Sequence, residues 1–281
     1  MEKMKVIVTA KENIASMNMF KIFVEELGFA KTDRIVDGNP CYEKGDFLLV
    51  TSNGGVIPIE HINDFFKDPP EIYIIASSHK SEGGVKLISC HTPGNWLDAG
   101  LGGNPEEVAV APALYLRNML KELMKYSGEE YQKSYEVTHH GPSSMNAPIM
   151  FVEVGASETE WNDMDAVRFV CKCILTANND NKNSEGKEVP VAVGFGGPHY
   201  APVFSREEYV DNVAVGHIMP KYAVADVKEE VVLQAFENTE PKATLAVMEW
   251  KGLSGEDKTK LKELFEKNKI PWKKLKDFKE L

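Results

Sequence analysis

The sequence predicts an α/β fold: a mixed, largely parallel sheet with helices on both faces. Short apolar runs with strand character alternate with amphipathic helical stretches along the chain, the pattern of helices packed over a sheet. The run Glu71 to Ser77 is continuously apolar, as expected of a strand covered on both sides. No internal repeat, low-complexity tract or Pro/Gly/Ser-rich linker divides the 281 residues, so residues 1–281 are read as one elaborated domain, with 243–281 as an appended C-terminal layer.

The elements follow in order. Residues 4–9 form a first strand, with Asn18 to Leu27 as a helix behind it. Asp46 to Thr51 and Glu71 to Ser77 are strands, and Gly83-Gly84 punctuates before another at Val85 to Cys90. A glycine-rich loop, Gly100 to Pro105, leads to a helix whose buried stripe carries Leu116, Leu120 and Leu123. Strands Tyr135 to Thr138 and Ile149 to Val154 come next. Ser157-Glu-Thr-Glu160 fits a capping box, and Trp161, Met164, Val167, Cys171 and Ile174 mark one helical face after it. Asn178 to Glu188 reads as a mobile polar loop. Strand Val189 to Phe195 follows, then a second capping-box candidate at Ser205 to Glu208. The tail adds a strand, Thr244 to Glu249, and a lysine-bearing helix from Ser254 to Lys267.

Composition narrows the function. A 43% apolar chain buries a substantial core, and a net charge of −11 argues against wrapping a long nucleic acid. A nucleic-acid partner is therefore expected to be held at a short end through a local patch. No stretch has the length and apolarity of a membrane span, and the first residues run directly into a strand, so neither a membrane segment nor a signal peptide is expected. Cys41, Cys90, Cys171 and Cys173 show no disulfide or zinc-ribbon spacing, which suits a reducing cytosol.

The seven histidines are the richest chemical signal. His79, His91, His139, His140 and His199 each follow a strand-like run, and in open α/β sheets ligands gather at strand carboxyl ends. Imidazoles on one rim can bind a metal or serve as acid and base near neutral pH. Thr138-His139-His140-Gly141-Pro142 is the sharpest motif, since at a turn both rings can enter one cleft. Glu153 lies in the apolar run Ile149 to Gly155. Buried there it needs a partner or a metal; on an edge strand it would simply face solvent. In Gly194-Phe-Gly196-Gly197-Pro-His199, exposed N–H groups could cradle an oxyanion. His91 is placed lower, because it and Cys90 would face opposite ways. His217 is a weaker candidate, His61 is read as inert, and Cys171-x-Cys173 as core. The lysines of the tail are ordinarily a solvated face, but Lys269, Lys273 and Lys274 around Trp272 would suit a nucleic-acid end.

Five segments together carry a family resemblance: Ala76-Ser-Ser-His-Lys80, His91-Thr-Pro-Gly-Asn-Trp96, Thr138-His-His-Gly-Pro142, Phe151-Val-Glu-Val-Gly155 and Gly194-Phe-Gly-Gly-Pro-His-Tyr-Ala-Pro202. In this order they resemble the archaeal and plant type of D-aminoacyl-tRNA deacylase. The resemblance covers nearly the whole chain. It implies a fold similar to nucleoside phosphorylases and peptidyl-tRNA hydrolases, a cytoplasmic monomer, two zinc ions per chain, and hydrolysis of the ester between a D-amino acid and the tRNA 3′ end. The expected site then has His139, His140 and Glu153 as catalytic groups, and His79, His139, His140, His199 and Glu153 as the metal-ligand pool. Gly194, Gly196 and Gly197 would line the substrate, and Lys269, Trp272, Lys273 and Lys274 would hold tRNA. The competing readings are a phosphorylase or peptidyl-tRNA hydrolase of similar architecture, and an RNA-end binding module without activity.

Overall fold

The computed structural model describes residues 3–279. Two sheets organise them. The first has eight strands in the order Gln132–Tyr135, Leu87–His91, Ile149–Ala156, Ile72–Lys80, Lys5–Ala10, Phe47–Ser52, Asn39–Lys44, Ala30–Val36. Four of its pairings are parallel and three antiparallel. The second has four strands, Ala214–Met219, Val191–Phe195, Leu245–Met248 and Trp272–Lys274, and is parallel throughout. The mixed, largely parallel α/β class is therefore as expected. Residues 243–281 supply two strands of the second sheet, Leu245–Met248 lying inside it; Met1, Glu2, Glu280 and Leu281 lie outside the described residues.

The central strands of the first sheet are Val/Ile/Leu-rich because both faces are covered. Helices Ile14–Lys21 and Met164–Thr176 pack over one face, where Met19, Phe23, Ile74, Val152, Val154 and Val170 share a core. Helix Ala113–Leu123 packs against both sheets: Leu116, Met119 and Leu120 join that same core with Val215, Ile218 and Val247 of the second sheet. Its Arg117, fully buried, donates to the carbonyls of Val210, Asp211 and Lys182. A buried guanidinium is tolerable because its donors are matched by acceptors.

Several boundaries differ from the sequence reading. The first helix begins at Ile14, because the Asn13 side chain caps Ser16 N–H, and passes into a π-turn at Ile22–Glu26. The helix after Ser157 is two: the Ser157–Glu160 capping box starts only Glu158–Trp161, and Asp163 caps a second, Met164–Thr176. Ser205 is no cap. Its hydroxyl donates to Ala201 O and accepts from Tyr135 N–H, and the short helix begins after Arg206. The loop 178–188 is pinned by Asn118, which donates to the carbonyls of Asn178 and Asp180, by Asn183 on Asn212 and by Ser184 on Asp211. The tail helix Gly255–Lys267 is capped by Ser254 and Asp257.

Candidate active site

The site is built on a face of the first sheet. Side chains alternate along a strand, and register brings matching positions of three strands together. Glu153 pairs with Ser77 and Ser89, Gly155 with His79, and Phe151 with His91. Ser77, His79, Ser89, His91, Phe151 and Glu153 therefore share one face, while Met150, Val152 and Val154 fill the core behind. This corrects the expected rim of strand carboxyl ends. His79 lies within its strand, Ile72–Lys80, rather than past it. Glu153 sits in a central strand and is 5% exposed, which removes the solvent-facing alternative.

The segment 136–142 crosses this face. Beyond strand Gln132–Tyr135, Val137 N–H donates to His199 O and Thr138 N–H to Ile218 O, which ties the segment to the second sheet. Gly94 N–H donates to His140 O at 2.6 Å, and Gly141 N–H to Leu101 O at 3.0 Å. Gly141 must be glycine, because a Cβ there would strike the backbone of Gly102 and Gly103. The glycine-rich loop and the His-His-Gly-Pro turn are thus two halves of one contact. His140 itself has φ of 46°, a left-handed conformation that non-glycine residues rarely hold without surrounding support.

Five of the seven histidines meet here with two carboxylates. The His139 ring centre lies 4.3 Å from those of His91 and His140 and 4.5 Å from that of His199. Glu136, wholly buried, accepts from Ser89 Oγ at 2.6 Å and contacts His199 Nε2 at 2.9 Å and His79 Nδ1 at 3.2 Å. Glu153 lies 3.5 Å from His79 Nδ1. Burial opposes ionisation of Glu136, but the hydrogen bonds from His199 and His79 outweigh it and hold the carboxyl well below its usual range. Burial pushes the Glu153 carboxyl up. Burial also opposes charge on His79, yet the two carboxylates raise it to about 10. His91 is pushed down to about 3 and His139 and His140 downward, all three chiefly by burial. These three rings are therefore neutral, the form that binds metals.

Three groups of ligand atoms, each within 4.8 Å of one another, could hold a metal: His91–His139–His140, Glu136–His139–His199 and His79–Glu136–Glu153. The first fits best. Nδ1 of each ring faces a backbone carbonyl, of Thr92, Val137 and Gly141 respectively. That leaves each Nε2 as the free ligand, the arrangement common to metal-bound histidines, whose other ring nitrogen is held by an acceptor behind it. His91 Nε2 is buried and has no partner among the described residues. A cleft of about 340 Å³ opens onto His139, His140 and His199, walled by Gly94–Asp98, Gly100, Leu101 and Tyr222.

The expected pool of His79, His139, His140, His199 and Glu153 is brought together. Sequence reasoning misses Glu136 and sets His91 too low. Cys90 and His91 do face opposite ways, Cys90 towards Leu116 O, but it is His91 that faces the site. Glu136 sits in Gln132-Lys-Ser-Tyr-Glu-Val-Thr138, a polar stretch without the apolar context that marks Glu153. His217 is fully buried, bonded to Thr138 Oγ1 and Asn238 O, and His61 pairs with Asp37 near the surface.

The glycines of 194–197 serve packing. A Cβ on Gly194 would meet Phe204 and Val215, Gly196 N–H is taken by Met219 O, and a Cβ on Gly197 would meet Glu249 Oε2. Gly196 therefore offers no free N–H to an oxyanion. The tail residues also divide. Trp272 and Lys274 lie beside Trp250, Lys273 reaches over Phe278 instead, and Lys269 sits on the turn after the helix.

Buried imidazoles and carboxylates under an open cleft can carry acid–base chemistry or hold a metal. Comparisons narrow this. The profile of D-aminoacyl-tRNA deacylase matches residues 66–273. The D-aminoacyl-tRNA deacylase of Thermococcus onnurineus is 37% identical over 267 residues, covering 94% of this chain and 97% of that protein. That of Pyrococcus abyssi is 35% identical, covering 93% and 96%. A crystal structure of a conserved protein of unknown function, AF0625, superposes with a TM-score of 0.87 at 27% identity, covering 99% of this chain and 97% of that one. The chain belongs to the D-aminoacyl-tRNA deacylase family.

Proposed function

We propose that this protein hydrolyses the ester between a D-amino acid and the 3′-terminal ribose of tRNA, in the cytoplasm and as a monomer, releasing the amino acid and reusable tRNA. The observation that carries the reading is the His91–His139–His140 cluster, with every Nδ1 on a carbonyl and the free Nε2 atoms converging beside an open cleft. No helix among the described residues is long and apolar enough to cross a membrane.

The donor set suits zinc: His91–His139–His140 would hold one ion, and His79–Glu136–Glu153, which shares no residue with it, would hold a second once His79 gives up its proton. Bound zinc supplies polarisation of the ester carbonyl and acidification of water. The chain's own groups do the rest. His199 is 39% exposed and lines the cleft, with Nε2 held by Glu136. A carboxylate-oriented imidazole is suited to take a proton from the attacking water and return it to the departing ribose oxygen. Without an ion there, His79 bridges Glu136 and Glu153 and orients both carboxylates. Gly94 to Leu101 and Tyr222 wall the space in which the amino acid must fit, and chiral choice follows from which substituent that wall admits.

The test is incubation with paired D- and L-aminoacyl-tRNA, with and without a chelator. Loss of the D-ester alone, arrested by chelation and restored by zinc, is expected. Equal loss of both esters, or of neither, overturns the activity. Full activity in chelator overturns the zinc requirement.

A further inference from the structure

The second sheet is parallel throughout, so its four strands end on one edge. Register places Met219, Phe195, Met248 and Lys274 in one row across that edge. Phe195 leads through Gly196–Pro198 to His199 in the cleft, Met248 leads through Glu249 to Trp250, and Lys274 closes the last strand. With strands roughly 4.8 Å apart, Lys274 stands about two strand spacings from the strand that delivers His199. On this edge Trp250 and Trp272 stack, 6.0 Å between centres and 6° between planes. Lys274 Nζ lies 4.4 Å and Lys258 Nζ 5.0 Å from the centre of the Trp250 ring. Neither ammonium pairs with a carboxylate among the described residues, whereas Lys267 and Lys279 nearby in sequence are paired with Glu229 and Glu208.

We infer that Trp250, Trp272, Lys258 and Lys274 form a seat for single-stranded, phosphate-bearing RNA: the nucleotides just upstream of the ester, as they run into the cleft. The identity of the strand rests on the function proposed above; the chemistry of the seat rests on the edge itself. In a chain of net charge −11 the overall field opposes polyanions, so attraction must come from local cations such as these. The indole holds both ammonium groups in place, which lowers the entropy lost when they meet phosphates. Aromatic faces stack any base, as suits an enzyme that must accept many tRNAs. Trp250 and Lys258 complete the seat, while Lys269 and Lys273 fall outside it.

The experiment measures binding of a fluorescein-labelled single-stranded RNA ending in CCA to the full chain by anisotropy at two salt concentrations. The K258Q/K274Q variant is expected to bind ~10-fold more weakly, and the slope of log affinity against log salt to flatten by about 1.4, or ~0.7 for each phosphate no longer neutralised. The K258R/K274R variant should retain both affinity and slope. Trp272→Ala should weaken binding by roughly tenfold through lost stacking. Unchanged affinity and slope in K258Q/K274Q, equal loss in K258R/K274R, or displacement of the RNA by polyglutamate as readily as by unlabelled RNA would each overturn the inference. Because the probe carries no amino acid, failure of ester hydrolysis leaves this readout intact, and failure here leaves the hydrolysis assay intact.

Discussion

The two sheets put chemistry in different places. The first buries it on a face: His79, His91 and Glu153 project from three adjacent strands, and Glu136 enters from just beyond a fourth. The second is apolar within apart from His217, which is bonded to Thr138 and Asn238, with Ala192, Val193, Phe195, Ala246, Val247 and Met248 all buried, and delivers His199, Tyr222 and Trp250 from its carboxyl edge. A face holds groups rigidly because each is gripped on both sides by paired neighbours, at the price of desolvating them. An edge leaves them accessible but dependent on turns. A buried charged cluster with an open rim is what a reaction on the end of a large substrate requires.

This contrast can be broken first at Glu136. It contacts His79 and His199 and lies 4.0 Å from His139 Nε2, whereas Glu153 contacts only His79 among the imidazoles. Glu136→Gln should lower kcat for D-aminoacyl-tRNA on the order of 10²–10⁴-fold, the range for losing an oriented acid–base group, and Glu153→Gln by clearly less. Equal losses in steady-state kinetics would show that the carboxylates act as one unit. His91→Ala, compared with His217→Ala, separates site from scaffold. The former should remove the zinc assigned to the His91–His139–His140 group, about half of the content measured by elemental analysis, while the fold persists. The latter should keep the metal and lower the melting temperature, since it removes a fully buried ring bonded to Thr138 Oγ1 and Asn238 O.

A pair of glycines sharpens the comparison next. Gly155 has φ of 151°, and a Cβ there would collide with His79 O and the Trp161 indole that donates to it at 2.8 Å. Gly155→Ala should cost about 1–3 kcal/mol in denaturant unfolding and also reduce activity by displacing His79. Gly194→Ala meets only the ring of Phe204 and the Val215 side chain, so it should lower stability with kcat preserved. If both variants lose activity in proportion to stability, the face is no more demanding than the second sheet.

The smallest effect is expected away from both sites, at Asp211, where the chain turns into the second sheet. Burial opposes its charge, but Lys121 and Ser184 prevail and lower it to about 2, from 3.8. The unfolded chain then binds its proton first as pH falls. The stabilisation is complete above pH ~4 and is lost between there and about pH 2. Its size is about 1–2 kcal/mol, after allowance for partial solvent screening. Asp211→Asn should flatten the acid limb of a stability–pH curve across that window; an unchanged limb would remove the loop clamp as a stabilising feature.

Much of the molecule is legible from the chain alone, and particular residues show where legibility ends. The strands announce themselves as apolar runs, and the five-segment resemblance locates His79, His139, His140, Glu153 and His199. Glu136 escapes because Tyr-Glu-Val-Thr bears no motif, and its partners Ser89, His79 and His199 are 47, 57 and 63 residues away in the chain. A correct parity argument, applied to the wrong neighbour, sets His91 aside. The glycines of 194–197 look like an oxyanion cradle because permissive backbone reads the same whether it admits a ligand or a phenylalanine ring.

What the sequence determines by itself is therefore local: which stretches are strands or helices, where Ser254 starts the tail helix, and which residue types are available for chemistry. Those follow from side-chain periodicity and capping, which act within a few residues. Only the tertiary structure decides that there are two large sheets, that Phe151 lies opposite His91 and Gly155 opposite His79, and that His199 crosses from one sheet to the other's face. Strand pairing joins segments far apart in the chain, and a one-residue slip turns every side chain to the opposite face. The site exists because packing around Ala113–Leu123 and the 136–142 crossing selects one register among many that the local pattern allows.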